Sequence, residues 1–168
     1  MLANKINTSL ELKKTLAMGL AYRFNLANKD IESEKVSELF LKNTPTDFEH
    51  FVGQLFQEKY GGELFVTNSS GDFGVDFELK NQEELSLGQV KAYKGNVNYE
   101  PIALVHSNMI KHNAKKGYVI TTSDFTAGAK QYASDLNIDL INGVDLVNLW
   151  IETMDSSLYE LNPNLELS

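Results

Sequence analysis

Apolar residues recur along this chain in two rhythms, and the change from one to the other orders the reading. In "TSLELKKTLAMGLAYRF" the apolar positions Leu12, Ala17, Leu20 and Ala21 fall at helical spacing behind a Thr8/Glu11 capping box. A second helix is expected over Asp30–Leu41. "TPTDFEHFVGQLFQEKYGG" repeats the helical pattern more strongly. Pro45 sits near the first helical position, Thr46 and Glu49 are spaced as another capping box, and Phe48, Phe51, Val52, Leu55 and Phe56 form one stripe that Gly61 and Gly62 stop. From there the period falls to two. "ELFVT", "VDFELK" and "LSLGQVKAYK" are successive strands, the last two joined by the polar turn "NQEE" as a hairpin. A helix near 99–113, the strand "GYVITTS", a helix over Thr126–Leu136, the strand "IDLIN" and a helix over Val144–Met154 complete the pattern. No internal repeat or low-complexity segment interrupts it.

The expected class is therefore α/β: a core ordered helix, three strands, helix, strand, preceded by a helical extension over residues 1–43 and followed by an acidic tail over 155–168. Length and a hydrophobic content of 42% suit one domain with a real core. There is no cysteine, which removes disulfides, thiolate metal sites and thiol nucleophiles. The three histidines, His50, His106 and His112, show no convincing ligand spacing. The apolar run "TLAMGLA" is too short to span a bilayer, so no membrane is expected and a cytoplasmic location follows by default.

A net charge of −8 argues against a polyanionic partner when taken alone. Its distribution changes the picture. Residues 143–168 carry five acidic and no basic side chains, a solvated helix and tail, whereas residues 47–98 carry nine acidic against four basic and include the strand "GQVKAYKGN". On a strand, Gln89 and Lys91 share one face, opposite Val90. In "VDFELK", Val75, Phe77 and Leu79 point one way while Asp76 and Glu78 point the other. If the two strands are neighbours, Asp76 meets the Gln-x-Lys pair, and acidic groups beside a lysine are what a divalent cation and its phosphate need.

That constellation resembles the PD-(D/E)xK nuclease superfamily, and "FEHFVGQLF", "GDFGVDF", "QVKAYK", "GYVITTSDFTAGAKQYA" and "IDLINGVDLVNL" narrow it to the Mrr-like restriction endonuclease family, over roughly residues 46–150. The resemblance implies a restriction-endonuclease-like core, here residues 44–154, and a metal-dependent endonuclease acting on double-stranded DNA in restriction or defence. It makes Asp76 the metal-binding acid, Gln89 the occupant of a position where most of the superfamily has an acid and the Mrr group has glutamine, Lys91 the catalytic lysine and Glu49 the acid of the first core helix. Asp76, Glu49 and the carbonyl of Val90 would hold Mg²⁺, with Mn²⁺ as substitute.

Plainer roles stand beside these. Glu49 is also accounted for by its capping box with Thr46. Asp72 reads as a turn residue, Glu78 as exposed beyond the site, and Tyr93 as packing. Thr121, Thr122 and Ser123 end a strand before a helix, which suits either capping or backbone N–H groups offered to a phosphate. The expected phosphate contacts are Lys94, Lys111, Lys115 and Lys116, with Lys13, Lys14 and Arg23 as further candidates. Many Mrr-like enzymes place a separate DNA-reading domain before the core, where this chain has about 43 residues, short for a complete domain. A separate DNA-recognition subunit is accordingly expected, and a homodimer because two sites related by a two-fold axis most simply cut both strands of a duplex. A structure-selective junction nuclease would share the fold, a non-cleaving DNA-binding or assembly subunit would keep it without the activity, and an acidic interaction protein would never touch nucleic acid.

Overall fold

The computed structural model describes residues 9–26, 46–67 and 73–161. Five strands form one sheet in the order β1 (Glu63–Val66), β2 (Phe77–Asn81), β3 (Glu84–Lys91), β4 (Lys116–Thr121), β5 (Ile138–Ile141). The first three pair antiparallel, because a tight turn at Gln82 and Glu83 joins β2 to β3. The last two run parallel to β3, because each is reached through a helical crossover. The helices are α1 (Leu10–Leu26), α2 (Thr46–Tyr60), α3 (Glu100–His112), α4 (Ala127–Ala133) and α5 (Gly143–Leu161). The region expected as a helix over Asp30–Leu41, the Thr8 cap and Asp72 lie outside the described residues.

Strand alternation divides the core in two. Phe77, Leu79, Val90, Tyr118 and Ile120 face Phe48, Val52, Leu55 and Phe56 of α2 and Leu146 and Leu149 of α5. Leu87 and Val119 face Ile102, Val105 and Met109 of α3 and Ala129 and Ala133 of α4. The apolar stripe read in α2 is thus its sheet-facing side. Phe56 anchors it, with ring centroids 5.4 Å from Phe77 and 4.8 Å from Tyr118. Gly88 is required opposite Phe77, since a Cβ there would lie 2.2 Å from that ring.

Helix α1 starts at Ser9, whose Oγ accepts from Leu12 N at 3.2 Å, one residue after the expected cap. Its Ala17 packs with Val147 and Ile151 of α5, so the described part of the extension docks on the core. Gly143 makes the approach possible: a Cβ there would come within 2.7 Å of Ala17 Cβ and 2.3 Å of Thr122 O. Two helix ends differ from the sequence reading. The crossover helix α4 stops at Ala133, and residues 134–137 form turns before β5. Helix α5 runs seven residues past Met154, to Leu161, because Leu158 and Leu161 continue a good helix former's spacing with no glycine or proline before Pro163. Among the described residues no helix is long and apolar enough to cross a membrane.

Candidate active site

Strand β3 sits in the middle of the sheet, and its last three residues carry the expected chemistry. Gln89 is 3% exposed. With its amide nitrogen donating to Gly74 O at 3.2 Å, its oxygen accepts from Lys91 Nζ at 3.3 Å. The shared face read from the sequence is therefore real, and it brings the amide and the ammonium into contact. Gly74 allows this: its φ of +88° disfavours other residues, and a Cβ would meet Leu104 Cβ at 2.8 Å.

Asp76 arrives by a different route from the one strand alternation predicts. Regular β2 pairing begins only at Phe77, and Val75 packs with Leu87 and Val119, away from Phe77 and Leu79. Val75, Phe77 and Leu79 therefore do not share a face. The backbone turns at Asp76, whose N–H donates to Gly88 O at 2.8 Å and whose carbonyl accepts from Thr67 N at 2.9 Å. Thr67 Oγ1 also donates to Val75 O at 2.7 Å. The carboxylate is left at the level of the sheet, where Oδ2 accepts from Val90 N at 2.7 Å. A side chain has replaced the backbone partner that β2 would have supplied. Because the N–H and C=O of one strand residue leave toward the same edge, the Val90 carbonyl points to the edge that Asp76 occupies.

Asp76 and the Val90 carbonyl are hard oxygen donors of the kind Mg²⁺ and Mn²⁺ accept, and their convergence on one strand edge fits a divalent ion. Glu49 stands half-buried on the first turn of α2. Among the described residues no three carboxylate or imidazole side chains cluster as a metal cage. The Gln89 amide oxygen is neutral and turned to Lys91, so the charge available to a cation is small.

The lysines expected to meet phosphate separate into two groups. Lys94 is exposed three residues beyond Lys91, its Nζ 5.9 Å from the Tyr22 ring centroid on α1. Lys111 is exposed on α3 beside Phe73. Lys115 and Lys116 lie at the start of β4, whereas Lys91 pairs with Thr121 at its end, about 17 Å away along an extended strand. Lys116 Nζ is also bound by Asp139 at 2.8 Å.

Thr121, Thr122 and Ser123 are committed within the protein. The Thr122 N–H donates to Lys91 O at 3.3 Å and the Ser123 N–H to Thr121 Oγ1 at 3.2 Å, so neither is offered to a phosphate as the sequence reading allowed. Helix α4 is capped by Thr126, which accepts from Ala129 N at 3.1 Å. The signal for their real role was present as three hydroxyl residues in a row at a strand end. Read as caps or as N–H donors to a phosphate, they conceal that the hydroxyls reach Lys91 and the segment that follows it.

A family model described as a restriction endonuclease, the Mrr catalytic domain, matches residues 40–150. A curated relative, the type IV methyl-directed restriction enzyme EcoKMrr of Escherichia coli strain K12, is 30% identical over 133 residues, which is 74% of this chain and 43% of that protein. The chain thus spans less than half the length of that relative. Two solved structures share the fold. The DNA modification-dependent restriction endonuclease AspBHI matches 91% of this chain and 40% of its own at a TM-score of 0.56 and 17% identity. The MspJI restriction endonuclease, solved with a 27-mer oligonucleotide, matches 74% and 33% at 0.50 and 21%.

Proposed function

The chain belongs to the restriction endonuclease family of the Mrr catalytic domain, and from that premise we propose that the edge of β3 is a divalent-metal-dependent site hydrolysing phosphodiester bonds of double-stranded DNA. The observation that carries this reading is the pairing of two contacts: Asp76 Oδ2 on Val90 N, and Gln89 on Lys91 Nζ. Asp76, the Val90 carbonyl and Glu49, directly or through water, would hold Mg²⁺ or Mn²⁺, which supplies a Lewis acid for the phosphoryl oxygens and an acidified water. The residues do the rest. Lys91 Nζ orients the attacking water and offsets charge that grows on the phosphate. Gln89 keeps that ammonium on the reacting side, and the N–H of Val90 fixes the carboxylate so that it does not reorganise during the reaction.

One further reading is favoured by a specific residue. A neutral Gln89, the residue that the Mrr group has at this position, loosens the cation's hold relative to an acid, and a site that held its metal too loosely to cut would leave a DNA-binding subunit. Plasmid cleavage in Mg²⁺, Mn²⁺ or EDTA separates the two. Nicking that EDTA and Lys91→Ala both abolish is the expected result; binding without nicking in any metal selects the subunit. Recognition of a modified or specific sequence is proposed to reside outside residues 44–154, in a separate subunit or domain.

A further inference from the structure

Backbone pairing between β3 and β4 ends at Lys91 and Thr121. An ordinary strand would fray there, and Lys91 would occupy the loose end. Three hydroxyls extend the pairing instead. Thr121 Oγ1 donates to Lys91 O at 2.9 Å, Thr122 Oγ1 to Tyr93 O at 2.9 Å, and Ser123 Oγ to Gly95 O at 2.7 Å. Consecutive residues on one chain meet alternate carbonyls on the other, although that segment turns just after the strand, where Tyr93 N donates to Lys91 O at 3.0 Å, and bends at Lys94 and Gly95. Two residues on, Val97 N donates to Asp124 O at 2.8 Å and Thr126 N to Val97 O at 3.0 Å. The chain from Lys91 to Val97 is therefore tied to β4 and its continuation along its whole length.

Lys91 gains most from this. Its carbonyl takes three donors, Thr121 Oγ1, the Thr122 N–H and the Tyr93 N–H, while its far end is held by Gln89. Thr121 and Thr122 are buried, 0% and 2% exposed, so solvent does not compete for their hydroxyls. A lysine side chain is long and flexible, and fixing its backbone removes one source of misalignment before substrate arrives. We propose that Thr121, Thr122 and Ser123 are positioning residues for the reaction, holding the Lys91 backbone so that its ammonium stays aligned with the scissile phosphate. The inference rests on the reading of Lys91 as the catalytic lysine.

The test uses the full chain with Thr121→Val, which keeps the shape and removes the donor, Thr121→Ser, which restores it, and Ser123→Ala, a milder change at a half-buried site. Cleavage of a duplex is measured at saturating DNA and as KM. The order parameter of the Lys91 ε-methylene is measured by NMR without DNA. A misplacement of about 1 Å costs on the order of 10²-fold in rate, so Thr121→Val is expected to lower kcat by roughly tenfold or more with KM within about twofold. The Lys91 order parameter should fall with it, and Thr121→Ser should recover both. Should Thr121→Val fail to fold, Ser123→Ala is expected to give the same split at smaller amplitude. A folded Thr121→Val with unchanged kcat, or with an unchanged Lys91 order parameter, overturns the proposal, as does an unchanged Ser123→Ala where Thr121→Val does not fold. If the wild type cuts no DNA, the nuclease reading falls, and the order parameter still decides whether the hydroxyls position Lys91.

Discussion

Gln89 and Lys91 were legible as a pair because strand periodicity alone puts them on one face, and the 3.3 Å contact between them follows from that spacing. Asp76 was legible as a participant but not by its route. Its carboxylate takes the N–H of Val90, and a side chain that competes with the backbone ladder breaks the alternation on which the sequence reading depended. The same geometry predicts how Gln89→Glu behaves. A carboxylate added next to Asp76 should tighten Mn²⁺ binding in calorimetry. It also sets an oxygen against Gly74 O, so the metal-free protein should lose about 1–3 kcal/mol in urea unfolding. Asp76→Asn should abolish cleavage and weaken Mn²⁺ binding while the fold stays cooperative, checked by the same two measurements. Tyr118 gives a pH prediction. Burial pushes its phenol up to about 12, helped by Tyr60 and Asp139, whereas an unfolded tyrosine titrates near 10. The folded state holds the proton more tightly, so this contribution is complete below about pH 10 and is lost as pH rises toward 12. Tyr118→Phe should flatten the fall in urea midpoint across that window.

The order of elements was legible from the change of period at Gly61 and Gly62, and so was the stripe of α2, because aromatic residues at helical spacing have one economical place to go. Ends were harder to read. Where α4 stops depends on the turns of residues 134–137, which apolar spacing does not record, whereas α5 runs on to Leu161 along the spacing of Leu158 and Leu161 that an end at Met154 overlooks. The hairpin strands carry a sharper constraint. Gly88 has the Phe77 ring where a side chain would stand, with Phe56 behind that ring. Gly88→Ala should therefore destabilise the domain by about 1–3 kcal/mol. Because Gly88 O accepts from Asp76 N, it should also reduce cleavage, whereas Gly95→Ala, where a Cβ meets nothing within 4 Å, should leave stability unchanged. Paired urea titrations of the two variants provide the check.

At the scale of the molecule, the −8 charge and the position of the lysines set what a DNA partner would feel. Lys94 stands three residues beyond the end of β3, so Lys94→Ala should reduce the salt slope of duplex binding by ~1. Lys116→Ala should leave it unchanged, because Asp139 already holds that ammonium at 2.8 Å at the other end of β4. Titrations on one duplex, with Ca²⁺ replacing Mg²⁺, compare them. Cutting both strands is most simply done by two sites related by a two-fold axis, and light scattering with DNA present should give a complex of twice the monomer mass plus the mass of the duplex. The seat of α1 has a last consequence, one of timing. Its Ala17 is covered by Val147 and Ile151, and Gly143 is kept bare to admit it, so α1 finds its partner only when α5, more than a hundred residues later, has been made. At a synthesis rate of about 5–20 residues per second, α1 waits on the order of ten seconds with its apolar face uncovered. A ribosome-bound chain halted before Gly143 should accordingly be cut by protease within α1, and one released after Leu161 should resist.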